Sequence, residues 1–91
     1  MNSNEINRLV KLAEKYIVES QYEDAKLIYT KLLNLNESDH LFIARLAYIE
    51  LVQSNLDNAK SLFYKSITIS PNYIEAYNCL GYIYKLHGDF D

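Results

Sequence analysis

The side chains able to do chemistry in this chain are few and scattered. His40 and His87 are its two histidines. They fall in different stretches, each near an expected helix end. Neither belongs to a His-Glu-x-x-His run, and no Ser-His-Asp order with supporting motifs or glycine-rich phosphate loop is present. His87 reads as a favourable partner for the dipole at a helix C-terminus. Glu23 and Asp24, and likewise Asp89 and Asp91, fall where helices are expected to open, so they read as stabilising first-turn charges before general acids. The single cysteine, Cys79, excludes an internal disulfide and a cysteine-based zinc site, and it reads as a small side chain in a helix with a free, unreactive thiol. These residues predict no enzyme, no catalytic set, no metal and no cofactor.

Ninety-one residues make at most one small domain. Nearly half are apolar (49%), enough for a thin core. The chain has two glycines and one proline, so helix breakers are scarce. A net charge of −3 with no basic cluster argues against a nucleic-acid backbone or an anionic membrane as partner. The polar opening from Met1 to Glu5 lacks the order of a secretory signal, and no apolar run approaches the ~18 residues of a membrane span. A soluble, cytoplasmic protein is expected, and the glycosylation-type run Asn36-Glu37-Ser38 is expected to be unused.

What positions these side chains is an internal repeat. A shift of 34 residues lays the chain on itself without gaps. Leu12, Leu46 and Leu80 align, as do Ala13, Ala47 and Gly81. Ala25 meets Ala59, Tyr29 meets Phe63, Lys26 meets Lys60 and Lys31 meets Lys65. Tyr22, Leu56 and Phe90 align ahead of Glu23, Asp57 and Asp91. Repeat one runs over 6–39, repeat two over 40–73 and a partial third over 74–91.

Apolar spacing within each repeat is helical. Ile6, Leu9, Leu12, Ala13 and Tyr16 follow one stripe, and Tyr77, Leu80, Gly81 and Tyr84 another. First helices of roughly 14 residues end at polar breaks: Ser20-Gln21, Ser54-Asn55 and Gly88-Asp89. Second helices carry Ala25, Ile28, Tyr29 and Leu32, or Ala59, Leu62, Phe63 and Ser66. Ser70-Pro71 reads as an N-cap and first helical residue opening the fifth helix. Ala13, Ala47, Gly81, Ala25 and Ala59 are expected where helices cross closely, with Tyr29 and Phe63 filling gaps between hairpins. Glu50 reads as a solvated or lysine-paired edge, or as a polar functional contact.

These residues resemble the tetratricopeptide repeat family. Tyr77, Leu80-Gly81, Tyr84 and Gly88-Asp89-Phe90-Asp91 match its first half, and Ala59, Phe63 and Pro71 its second. The resemblance covers Ile6 to Asp91. It departs at Leu9 and Glu50, where aromatics are usual, and at Glu37, where proline is usual. The resemblance implies an all-α fold, a right-handed α-solenoid of about five helices in antiparallel pairs. It also implies a concave groove lined by first helices, whose role is to bind a protein or peptide. Carried over position by position, the groove takes Asn7, Val10, Glu14, Ile17 and Val18; then Leu41, Ala44, Arg45, Tyr48, Leu51 and Val52; then Glu75, Asn78, Tyr82 and Lys85. Tyr48 and Tyr82 would stack one above the other and anchor apolar side chains of a peptide.

Two family specialisations fail at their positions. The carboxylate clamp for chaperone C-terminal tails would fall on Val10, Glu14, Arg45, Glu75 and Cys79, where two acids would repel it. The asparagine ladder would fall on Lys11, Arg45 and Cys79. Chaperone tails are therefore not expected as partners, while Lys11 and Arg45 form a basic line able to read an acidic flank.

The chain stops at Asp91, where a sixth helix is expected, which suggests a fragment of a longer repeat protein. The stripe Tyr77, Leu80, Tyr84 and Leu86, with Phe90, would then be an exposed stacking face. Three readings stay open: a binding scaffold, a self-associating element forming a homo-oligomer through that face, and the docking arm of a longer enzyme.

Overall fold

The computed structural model describes residues 1–88. They form five α-helices and no strand: α1 (Ser3–Val18), α2 (Tyr22–Leu35), α3 (His40–Val52), α4 (Leu56–Ile69) and α5 (Ile74–His87). The all-α expectation holds. The chain divides into two compact units, Met1–Glu37 and Ser38–Asp91.

The first unit is the hairpin of α1 and α2. Asn2 caps α1, its side-chain oxygen accepting the Glu5 amide at 2.9 Å; this satisfies one of the amides a helix start leaves without a partner. Ala13, Ala25, Tyr29 and Leu32 are buried. The aligned alanines have no side chain beyond Cβ, which lets the helices approach closely.

The second unit stacks three helices, with α4 packed against both α3 and α5. Its core is Ala44, Ala47, Ala59, Phe63, Ala76, Leu80 and Ile83. Four alanines and one phenylalanine make a simple division of labour: alanines set the spacing and Phe63 fills it. Truncating a buried Phe of this kind typically costs about 3–5 kcal/mol. Asp39 caps α3 by accepting the Leu41 and Phe42 amides at 3.0 and 3.2 Å. Buried Ser66 donates its hydroxyl to the His40 carbonyl at 2.9 Å, tying α4 to the first turn of α3. This one hydroxyl explains a polar residue at a core position aligned with Leu32.

The two inner turns share one geometry. Ser20 N–H donates to the Ile17 carbonyl and Gln21 N–H to the Tyr16 carbonyl, at 3.0 and 2.7 Å. Ser54 N–H donates to Leu51 and Asn55 N–H to Glu50, at 3.0 and 2.8 Å. Such paired bonds demand a left-handed residue at the turn. Ser20 (φ 60°), Ser54 (φ 66°) and Gly88 (φ 73°) occupy that position in the three repeats.

Several expectations are corrected. Helix α5 does not open at Ser70-Pro71: Ser70 ends α4, and the Tyr73 amide donates to the Ser70 carbonyl at 3.1 Å. Proline's fixed φ suits the second position of that tight turn as well as a first helical turn. Asn55 makes no side-chain cap for α4. Its amide turns back and donates to the Glu50 carboxylate at 2.9 Å. Glu50 is accordingly not a solvated edge: it is 5% exposed and accepts this contact. Gly81 is exposed and a Cβ there would meet nothing within 4 Å, because no described helix covers that side of α5. Asp89, Phe90 and Asp91 lie outside the described residues.

Two predictions follow from the turns. A left-handed L-residue costs roughly 1–2 kcal/mol that glycine avoids. Ser20→Gly and Ser54→Gly should therefore each raise stability by about 1 kcal/mol in chemical denaturation. Asn55→Ala should lower it by about 1–3 kcal/mol, since a buried carboxylate loses a donor; a change within experimental error would show that Glu50 does not depend on it.

Candidate functional site

The second unit carries an open depression of about 760 Å³. Its lining comes from the C-terminal half of α3 (Tyr48, Leu51 and Val52), the turn (Ser54), the first residue of α4 (Leu56), and α5 (Asn78, Cys79, Tyr82 and Leu86). The geometry follows from helix spacing. Tyr48, Leu51 and Val52 are three and four residues apart on α3, and Asn78 and Tyr82 four apart on α5, so each set presents one face. The faces opposite those of α5 bury Ala76, Leu80 and Ile83. Tyr48 is 38% exposed and Tyr82 is 54% exposed, so rings of substantial apolar area stand open to solvent.

Of the positions expected in a groove, the structure thus brings together Tyr48, Leu51, Val52, Asn78 and Tyr82. Leu41 and Lys85 are exposed but do not line the depression. Ala44 is a correction: at 2% exposed it belongs to the core, facing α4 and α5. In the first unit Asn7 and Glu14 are exposed, Val10 and Ile17 half-buried and Val18 exposed. Ser54 and Leu56 join the lining without having been expected there, as does Leu86, which was assigned to the stacking face; Cys79 lines it at the position where the ladder would fall. The turn residue Ser54 could have been found from the shortness of the α3–α4 connection, which brings its tip beside α3.

Arg45 and Glu75 have a different role. The Arg45 guanidinium donates to the Glu75 carboxylate at 3.0 Å, and the Tyr73 hydroxyl donates to the same oxygen at 2.7 Å. Arg45 also reaches the Tyr73 hydroxyl at 3.4 Å. The His40 ring meets Tyr73 edge-on, with centroids 5.0 Å apart. This cluster joins the start of α5 to α3. It corrects the reading of Arg45 as part of a basic line for a partner, because an internal carboxylate engages its charge. The Tyr73 hydroxyl and the Arg45 guanidinium hold the Glu75 carboxyl below its usual range. Burial, then the bond to Glu75, pushes the Tyr73 phenol up. Burial also raises the Cys79 thiol, with the Glu75 charge adding to it, so little thiolate forms near neutrality.

The expected stacking face is corrected at its centre. Leu80 is 5% exposed and packs within the core. Tyr84 is half-buried against that core; its hydroxyl meets the Tyr64 hydroxyl and the Lys60 ammonium lies 5.4 Å from its ring centroid. The buried stripe of α5 is Ala76, Leu80 and Ile83, rotated from the line drawn through Tyr77 and Tyr84. Tyr77 stays 48% exposed and donates to the Pro71 carbonyl at 2.8 Å; Phe90 lies outside the described residues. Among the described residues no cluster of three His, Cys, Asp or Glu is placed to hold a metal, and no helix is long and apolar enough to cross a membrane.

Comparison with known proteins agrees with this architecture. Residues 62–91 match the family model described as tetratricopeptide repeat. No curated protein matches the sequence. Among solved structures, the type III secretion translocator chaperone SycD of Yersinia enterocolitica is similar over 98% of this chain, with a TM-score of 0.88 at 18% identity. MamA is similar over 97%, with a TM-score of 0.83 at 22% identity. This chain spans 61% of that SycD chain and 52% of that MamA chain. At these identities the likeness is one of fold.

The Arg45–Glu75 contact generates a prediction. In Arg45→Gln the Glu75 carboxyl should titrate closer to its usual value, as followed by NMR against pH. A depressed folded pKa stabilises above the unfolded value and loses that stabilisation as pH falls through the folded one. The increment is small, at most about 0.5 kcal/mol for so exposed a pair, and it should shrink in the variant, where the Tyr73 hydroxyl still donates to the carboxylate. An unchanged Glu75 titration would remove Arg45 as a cause.

Proposed function

We propose that this chain, with a tetratricopeptide repeat at residues 62–91 and that family's hairpin fold, is a protein-interaction scaffold. Its ligand is a polypeptide segment with apolar or aromatic anchors, seated in the depression between α3 and α5. The observation that carries this reading is the shared lining of that depression by Tyr48, Leu51, Val52 and Tyr82. Aromatic rings bury large area with little side-chain entropy to lose, and such residues dominate binding energy at interfaces. Asn78 stands in the same lining; its amide both donates and accepts, as a peptide bond requires of a partner. A translocator chaperone among the structural neighbours is in keeping with a protein ligand.

Burial raises the Cys79 thiol of the lining, so it carries little thiolate near neutrality. The proposed recognition rests on shape, apolar area and the Asn78 amide.

Peptides selected from a random display library against the whole chain provide the test. The best binder should lose at least about tenfold in affinity in the Tyr48→Ala/Tyr82→Ala variant, in line with the loss of hot-spot aromatics. Both side chains are exposed, so the thermal midpoint should hardly move. Leu27→Ala, exposed on α2, should leave affinity intact. Equal affinity for the double variant and the parent would overturn the assignment of this surface.

A further inference from the structure

A second surface lies on the first unit and differs in chemistry. Asn4, Asn7, Arg8 and Lys11 line a shallow depression of about 440 Å³ along α1. Lys15 continues the same face one turn on. Positions 4, 8, 11 and 15 are spaced by four, three and four, which places them on one side of a helix. All five side chains are exposed, whereas Ala13, on the opposite side, is fully buried. The strip is therefore the outward face of α1.

Its composition is one-sided. Two amides, one guanidinium and two ammonium groups supply hydrogen-bond donors, and no carboxylate lines the depression. Glu5 and Glu14 fall on the flanks of the strip. Among the described residues Arg8, Lys11 and Lys15 make no ion pair, in contrast to Arg45, whose charge Glu75 meets. Three of the nine lysines and arginines of an acidic chain thus sit together without an ion pair, a small grouping where no basic cluster was expected.

We propose that this face of α1 docks a carboxylate-rich segment of a partner protein. Ionised carboxylates are acceptors only, and bonds to charged donors are the stronger kind. Asn4 and Asn7 add donors without charge, which fits a planar carboxylate better than a diffuse counter-ion cloud. The grip of a protein on a nucleic-acid backbone grows with the number of phosphates its lysines and arginines neutralise. Three cations on a chain of net charge −3 favour a short acidic peptide instead.

The test uses the full chain and a fluorescent Asp/Glu-rich peptide, with its Asn/Gln counterpart as control, followed by anisotropy at low and physiological salt. The acidic peptide should bind, weaken with salt, and lose at least tenfold in affinity in Arg8→Gln/Lys11→Gln/Lys15→Gln. The Arg8→Lys/Lys11→Arg/Lys15→Arg variant should keep most of it. Tyr48→Ala/Tyr82→Ala should bind the acidic peptide as the parent does, so loss of one surface is told apart from loss of the other. Circular dichroism and the thermal midpoint should match the parent in every variant. No binding of the acidic peptide, or equal binding by the neutralised variant, overturns the proposal. Stronger binding to a single-stranded oligonucleotide or to anionic phospholipid vesicles overturns the choice of a protein partner.

Discussion

Close approach of helices, permitted by alanine, is the constraint on which this molecule depends. Ala13, Ala25, Ala47, Ala59 and Ala76 are all fully buried. At each, a larger side chain would drive the axes apart, and overpacking of this sort typically costs about 1–3 kcal/mol. With the axes held close in the second unit, α3 and α5 both lie against α4, and their outer faces converge on the depression. The rings of Tyr48 and Tyr82 owe their shared site to that spacing rather than to any contact between the two residues.

Turn geometry is the complement of packing. The left-handed serines at Ser20 and Ser54 reverse the chain in very few residues, and the capping bonds leave few helix-end carbonyls without a donor. In the second of these turns the side chains join in: Asn55 reaches back to a carboxylate that the core has otherwise taken out of water. Backbone and side chain of Asn55 thus both bind Glu50, one through its carbonyl and the other through its carboxylate.

Much of the fold was legible because repetition multiplies weak signals. Ala25 or Tyr29 alone says little, but their recurrence as Ala59 and Phe63 marks a position the packing needs. The same averaging misled at Gly81, where the aligned alanines are buried and the glycine is not. It misled again at Leu80. A stripe traced through tyrosines placed it outward, while the helix turns Ala76, Leu80 and Ile83 inward and lets the amphipathic tyrosines cover the rim. Residues of the depression could be collected from spacing, yet Ala44 could not be told from its neighbours, since alanine is at home on either face. The Arg45–Glu75–Tyr73 cluster was beyond sequence reach because its members come from two helices and meet only through the packing of α5.

The position of α4 has a consequence for how the second unit opens. Helix α5 packs chiefly on α4 rather than on α3. Loss of α5 would leave the α3–α4 hairpin with its own contacts, whereas loss of α4 would leave α3 and α5 with little to hold them. Among the described helices of this unit local opening is then hierarchical, with α5 the first to peel and α4 the last to expose its amides. Among the three described helices, one wall of the depression is therefore the least tightly packed and the other belongs to the most persistent hairpin. Its integrity is a measure of how often α5 is seated on α4.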